Sequence, residues 1–208
     1  MMNYIELLEQ RFACKKFDPT RKISAKDKAF ILEAGRLSPS SFGLEPWQFI
    51  VIQDDKLREK LKPACWNQSQ ITDSSFIVII LSRKAHNFRG KSDYVRQKVS
   101  RRNLPQEMQD TYLGLVQNYL SVEDTDAWAK RQCYIALTNL LNAAQSLGIS
   151  SCPIEGFEAE NVKKVLDEYK QINFDDFDFS GVMCAFGYSA MDLPKKFRAA
   201  STEVIIEI

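Results

Sequence analysis

The sequence has one histidine, His86, in 208 residues. That removes most histidine chemistry. A His-rich metal cluster lacks ligands, and any Ser-His-Asp or Cys-His system would depend on this ring alone. His86 lies in the charged run Arg83-Lys84-Ala85-His86, which reads as the solvated exit of a strand. Glycine (8) and proline (7) are also scarce, which argues against a disordered or fibrous chain. No GxGxxG opens a helix and no GxxxxGK[ST] occurs, so both common glycine-rich phosphate loops are missing. No GxSxG elbow is present. The five cysteines (Cys14, Cys65, Cys133, Cys152, Cys184) are odd in number, widely spaced and without a CxxC. They predict neither a disulfide framework nor a zinc site, and a reducing, cytoplasmic setting. No charge dominates: Lys+Arg 28 against Asp+Glu 27 leaves +1. Nothing global therefore attracts nucleic acid or an anionic membrane. The longest apolar run, Phe76 to Leu81, is too short for a bilayer. Met1 to Gln10 carries Glu6 and Glu9 and no long apolar run, so no secretory signal is expected.

What is present suits a soluble domain. Apolar residues are 45% and charged residues 26%, and the length fits one domain over 1–208. Periodicity predicts a short helix over 3–13 with Tyr4, Leu7, Leu8 and Phe12 on one side. Ser24 reads as an N-cap, with Asp27 standing in for the usual Glu of a capping box. That helix runs to about Leu37, with Phe30, Ile31, Ala34 and Leu37 at helical spacing. Trp47 to Gln53 reads as a strand, Lys56 to Lys62 as a helix, and Ser75 to Ser82 as a buried central strand. Residues 84–126 are polar and helical in tendency. Asp124 or Asp126 caps a helix from about Ala127 to Leu147, with a broad apolar face including Tyr134, Leu137, Leu140, Leu141, Ala144 and Leu147. Gly148 ends it. Ile149 to Cys152 and Gly181 to Phe186 read as strands, and 158–169 as a helix. The tail Thr202 to Ile208 is strand-like, and a terminal strand must pair with something. The class is α+β.

Two basic patches stand at opposite ends of the chain. One is Arg11-Phe12-Ala13-Cys14-Lys15-Lys16-Phe17; the other is Pro194-Lys195-Lys196-Phe197-Arg198. Each sets cations beside apolar anchors. Taken alone, such a patch is usually solvated surface; gathered together, the two would bind a phosphate. Between them lie three distinctive strings: Leu37-Ser38-Pro39-Ser40-Ser41-Phe42-Gly43-Leu44-Glu45-Pro46-Trp47-Gln48-Phe49, Cys65-Trp66-Asn67-Gln68-Ser69-Gln70-Ile71-Thr72-Asp73, and Pro153-Ile154-Glu155-Gly156-Phe157. In this order and spacing the chain closely resembles the FMN-dependent nitroreductase family, the oxygen-insensitive bacterial NAD(P)H nitroreductase or dihydropteridine reductase type. The resemblance covers nearly the whole chain and is weakest across 84–126.

The resemblance implies a mixed, mostly antiparallel sheet flanked by helices, in an intertwined homodimer. The tail Thr202–Ile208 would cross to the partner as a swapped strand, and two FMN would lie at the interface. Arg11 matches the family's first phosphate-binding arginine, next to Phe12, and Lys15 matches the lysine near flavin N1/O2. Ala13 stands where a phosphate-binding serine is common, so only its backbone can contribute. Lys196 and Arg198 match the C-terminal basic pair, with Lys195 an alternative register. Pro39, Ser40 and Ser41 match the loop that meets the flavin from the other subunit, and Asn67 the asparagine on the pyrimidine ring. Gln70 stands where one branch has a lysine, which leaves Lys15 as the main cation there and implies a lower flavin potential. Pro153, Ile154, Glu155 and Gly156 match the strip along the flavin's dimethylbenzene and N5 region. The Glu155 backbone N–H would bond N5, and Gly156 would allow close approach.

The implied activity passes hydride from NAD(P)H through flavin N5 to nitroaromatics, quinones or similar small acceptors, by a ping-pong mechanism. No catalytic side chain and no metal are required. Membrane and nucleic acid are not implied partners. Alternatives on the same fold are a flavin or pteridine reductase, a specialised dehydrogenase, or a non-catalytic FMN-binding protein. Without the resemblance, an α+β interaction domain remains open. Trp47 and Trp128 read as packing residues, and Cys14, beside Arg11, Lys15 and Lys16, is not expected to have a redox role.

Overall fold

The first helix, α1 (Tyr4–Gln10), begins where Asn3 and Glu6 exchange side-chain and backbone hydrogen bonds in a capping box. The computed structural model describes residues 3–89 and 92–208. The second helix, α2 (Ala25–Arg36), starts at Ser24, whose Oγ accepts the Asp27 N–H at 3.0 Å. Strand β1 (Trp47–Ile52), α3 (Asp55–Leu61), the single turn α4 (Gln70–Asp73) and β2 (Phe76–Arg83) follow. The stretch 84–126 holds α5 (Asp93–Ser100) and α6 (Gln106–Val122). The long α7 (Thr125–Ser146) is capped by Asp124 and ends before Gly148, at φ 68°. Then come β3 (Ser150–Ile154), α8 (Ala159–Leu166), β4 (Phe177–Gly187) and a short α9 (Ser201–Val204).

The four strands form one sheet in the order β1-β2-β4-β3, antiparallel throughout. Outside these strand pairings, an isolated parallel bridge joins Ala13 to Ser151. β2 is central, and its continuous apolar run follows from burial on both faces. Phe76, Val78 and Ile80 meet Ile31 of α2 and Cys133, Leu137, Leu140 and Ala144 of α7. Ile77, Ile79 and Leu81 meet Leu57 and Leu61 of α3 and Val162 and Leu166 of α8. The period-2 alternation thus separates two cores in a helix–sheet–helix sandwich. A third core joins Val95, Val99, Leu113, Val116 and Leu120 of α5 and α6 to Trp128 at the head of α7. Trp128 is buried, as a packing anchor should be, edge-on to Phe88.

Three expectations change. On α2 the buried contacts run through Ile31 and Gly35, and a Cβ on Gly35 would come within 2.6 Å of Leu140. Phe30 and Leu37 therefore stand exposed, because α2 approaches α7 so closely that only a narrow stripe is covered. Tyr134 and Leu147 likewise lie outside the buried face of α7. The tail does not begin as a strand at Thr202. Residues Ser201–Val204 are helical, with the Ala200 N–H held by the Glu203 carboxylate, and the rest has no sheet partner among the described residues. Val204, Ile205, Ile206 and Ile208 are all exposed.

Candidate active site

The two basic patches, far apart in sequence, meet in space. Arg11, Phe12, Ala13 and Pro194 to Arg198 line one open cleft of about 380 Å³. The meeting follows from topology. The chain leaves α1 and runs beside β3, where the Cys14 N–H donates to the Ser151 carbonyl at 2.9 Å. After β4 the chain returns along the same segment: the Asp18 N–H donates to Tyr188 O, and the Ala190 N–H to Lys16 O.

The cations in this cleft are not equivalent. Lys196 Nζ donates to the carbonyls of Leu8 and Arg11, satisfying backbone at the C-terminal end of α1. Burial lowers its pKa, and neighbouring Arg11 and Arg198 lower it further against the opposing effect of Glu9. Lys195 is exposed near the Phe197 ring, and Arg198 donates to the adjacent Phe197 carbonyl. The like charges repel one another, and an anion would relieve that.

Beyond the cleft, Lys15 lies over the start of the sheet edge, with Nζ 3.5 Å from Cys152 Sγ. The Gln70 side chain, 7% exposed, reaches the same thiol. Burial raises the Cys152 pKa, and Lys15 opposes that rise. Next comes a bend of two consecutive left-handed residues, Trp66 (φ 55°) and Asn67 (φ 54°). Asparagine tolerates this conformation and tryptophan does not, so the bend stores strain. It is held by the Asn67 N–H to Lys62 O and by Gln68 Nε2 to Gly156 O at 2.7 Å. At Gly156 a Cβ would come within 2.6 Å of the Trp66 ring. The close approach that excludes a side chain there is thus made by the Trp66 indole, which also donates to Glu158 at 2.9 Å. Just before it, the Glu155 N–H donates to no acceptor among the described residues. The Glu155 carboxylate accepts from Tyr134 Oη at 2.6 Å.

The predicted residues therefore assemble in two places. One tract is built from successive contacts: Arg11, Phe12, Ala13, Lys196 and Arg198 line the cleft, Lys15 and Gln70 meet at Cys152, beside Pro153 and Ile154, and the Asn67 bend reaches Glu155 and Gly156 through Gln68 and Trp66. Pro39, Ser40 and Ser41 stand apart, on the turn after α2. There the Ser41 N–H donates to Gln132 of α7, and Ser40 Oγ accepts the Glu45 N–H. Sequence reasoning did not select Gln68, Tyr134, Cys152 or Glu158, because nothing local ties them to their distant partners. Trp66 was quoted within its string but given no role, and its exposed ring forms one wall of the tract. Larger clefts lie elsewhere, along β1 (about 440 Å³) and between α6 and the head of α7 (about 450 Å³). They contain none of these residues.

The Nitroreductase family model matches residues 8–188. The chain belongs to the nitroreductase family. A Bacillus subtilis relative, YfkO, provisionally named an NAD(P)H nitroreductase, is 40% identical over 94% of this chain and 92% of its own. A Haemophilus influenzae relative with the same provisional name is 40% identical over 97% of this chain and 94% of its own. In fold, this nitroreductase-family chain is similar to a provisionally named nitroreductase from Exiguobacterium sibiricum, solved in complex with FMN. The TM-score is 0.81 at 20% identity, covering 100% of this chain and 98% of that one. The α+β fold is thus the nitroreductase fold. His86 sits at the surface bonded to Asp176, away from this tract.

Proposed function

We propose that this chain binds FMN and works as an NAD(P)H-dependent oxidoreductase on small organic acceptors, as a cytoplasmic homodimer. The observation that carries the reading is the meeting of Arg11 with Lys195, Lys196 and Arg198 in one cleft. The donor set fits the cofactor. Clustered cations suit a phosphate dianion, and Arg11 and Arg198 supply its forked donors. Lys196 serves mainly as the brace that ties the C-terminal segment to α1. Lys15 sets a positive charge where a reduced ring carries negative charge. The open Glu155 N–H supplies a backbone donor to the ring edge. When bound, FMN would supply two-electron chemistry between NAD(P)H and a nitroaromatic, quinone or similar acceptor. The names of the relatives and the FMN complex of the structural neighbour support this reading.

The test is an anaerobic visible spectrum of the purified protein before and after NADPH or NADH. Flavin bands that bleach are expected. A colourless protein that takes up no added FMN would sink the reading. A holoprotein that neither nucleotide bleaches would instead favour an FMN-binding protein without this activity. A panel of nitroaromatics, quinones, flavins and pteridines then separates the acceptor classes.

Gln70 is the point of chemical departure. Gln70→Lys should raise the flavin midpoint by about 40 mV, since a second cation worth ~2 kcal/mol is shared over two electrons. An unchanged midpoint in a redox titration would reject the placement of Gln70 at the ring.

The dimer reading rests on the sheet edges. The β3 edge is met by the Ala13 bridge, while β1 has no second strand partner among the described residues. The exposed apolar tail of a second copy would occupy that edge, and the swap would be reciprocal. A chain ending at Ala200 is expected to run as a monomer in light scattering and to retain little FMN. A truncated chain that stays dimeric would refute the swap.

A further inference from the structure

We infer that Tyr134 is a positioning residue: through Glu155 it fixes the strip 153–156 that faces the proposed cofactor. The inference rests on the FMN reading. Glu155 follows directly on β3 and is exposed, so ladder pairing no longer holds its backbone. An exposed glutamate at a strand exit would ordinarily sample several rotamers. Here its carboxylate accepts a 2.6 Å hydrogen bond from the Tyr134 hydroxyl. A charge-assisted O–H···O⁻ bond of that length is among the stronger side-chain contacts. Its anchor is rigid: Tyr134 rises from α7 next to Cys133, which is fully buried against the sheet. Burial, helped by the carboxylate, pushes the Tyr134 pKa up to about 12, so the phenol stays a donor at neutral pH.

The other side of the strip is gripped as well. Gln68 holds the Gly156 carbonyl, the Trp66 ring fills the space a Cβ would take, and the Glu158 N–H donates to Ala64 O. The strip is thus clamped between α7 and the 64–68 bend, and Tyr134 is the clamp on the α7 side. Between them lies the Glu155 N–H, which has no acceptor among the described residues. Its direction is set by a contact from the preceding helix, made by a tyrosine on the outward side of α7.

The experiment uses the holoprotein and three variants: Tyr134→Phe, Glu155→Ala and the double. The readouts are the position of the visible flavin band and the rate at which NAD(P)H bleaches it in single turnover. Tyr134→Phe removes only a hydroxyl and keeps the ring. Each single variant should shift the band in the same direction and slow bleaching by about tenfold, which is ~1.4 kcal/mol of barrier. The double should be no more than about twofold slower than the worse single, because both remove one interaction. Glu155→Gln keeps an acceptor for the phenol and should recover most of the rate lost in Glu155→Ala, which also covers the case in which the alanine variant folds poorly. A bond that only stabilised the fold would lower the melting temperature and leave band and rate alone. That result in Tyr134→Phe, or multiplicative effects in the double, would overturn the inference. A wild-type protein that binds no flavin would overturn the FMN reading itself, and the proposed role of the pair with it.

Discussion

Arg11→Ala and Arg198→Ala are each expected to weaken FMN binding about 30-fold, from the loss of ~2 kcal/mol of charge-assisted hydrogen bonding. Both line the cleft where the first and last basic patches meet. Neither guanidinium makes an ion pair with a carboxylate among the described residues. Removing Arg198 frees only the adjacent, exposed Phe197 carbonyl, which water can satisfy, so the fold should survive. The double variant should fall short of the product of the singles, since two forks on one phosphate are coupled. Lys196 behaves differently, because it already satisfies the carbonyls of Leu8 and Arg11. Titration of apoprotein with FMN, followed by flavin fluorescence, measures the effect. Inorganic phosphate should compete with FMN in the wild type and much less in the variants. Dissociation constants within threefold of wild type for both arginines would remove the phosphate site from this cleft.

Arg58→Met should destabilise the protein by about 3 kcal/mol, since it strands two buried carbonyls and removes a buried cation's contacts. Arg58 is 1% exposed. Its Nη1 donates to Ser74 O at 2.5 Å and to Ile71 O at 3.4 Å, closing the C-terminal end of α4. Its other terminal nitrogen pairs with Asp55, whose side chain is exposed. Methionine fills much the same space and leaves those carbonyls without a donor. For a chain of this size the melting temperature should fall by about 10 °C at fixed protein concentration. Because α4 begins at Gln70, FMN retention should fall as well. A melting temperature within about 2 °C of wild type would show that water can replace the guanidinium there. Asp55→Asn should shift it less than Arg58→Met, because the exposed amide oxygen can still accept from the buried guanidinium.

Much of the fold was legible because its signals are local. The Ser24 and Asp124 caps, the Gly148 stop and the unbroken apolar run of β2 are set by hydrogen bonding and burial within a few residues. The exposed stripe of Phe30 and Leu37 was not legible. Helical spacing marks an apolar face, but how much of it is covered depends on how closely α2 and α7 approach, and Gly35 against Leu140 sets that distance. The tail misled for a related reason. Alternation there is weak, and a local capping interaction between Ala200 and Glu203 wins where the tail makes no strand pairing among the described residues.

For the site, residue types and their order along the chain were enough to select Arg11, Lys15, Asn67, Glu155 and Arg198, because family resemblance acts on strings. The sequence alone determined the donor chemistry: cations at both ends, one histidine, and no glycine-rich phosphate loop. Only the tertiary structure decided how these donors are shared out. Lys196 became a brace for α1, Trp66 took the space that Gly156 leaves open, and Tyr134 reached Glu155 from a helix that sequence assigned wholly to packing. Each of these depends on two segments far apart in the chain coming within hydrogen-bonding or van der Waals distance. Such contacts follow from the way the sheet and its helices pack, and no local pattern of residues encodes them.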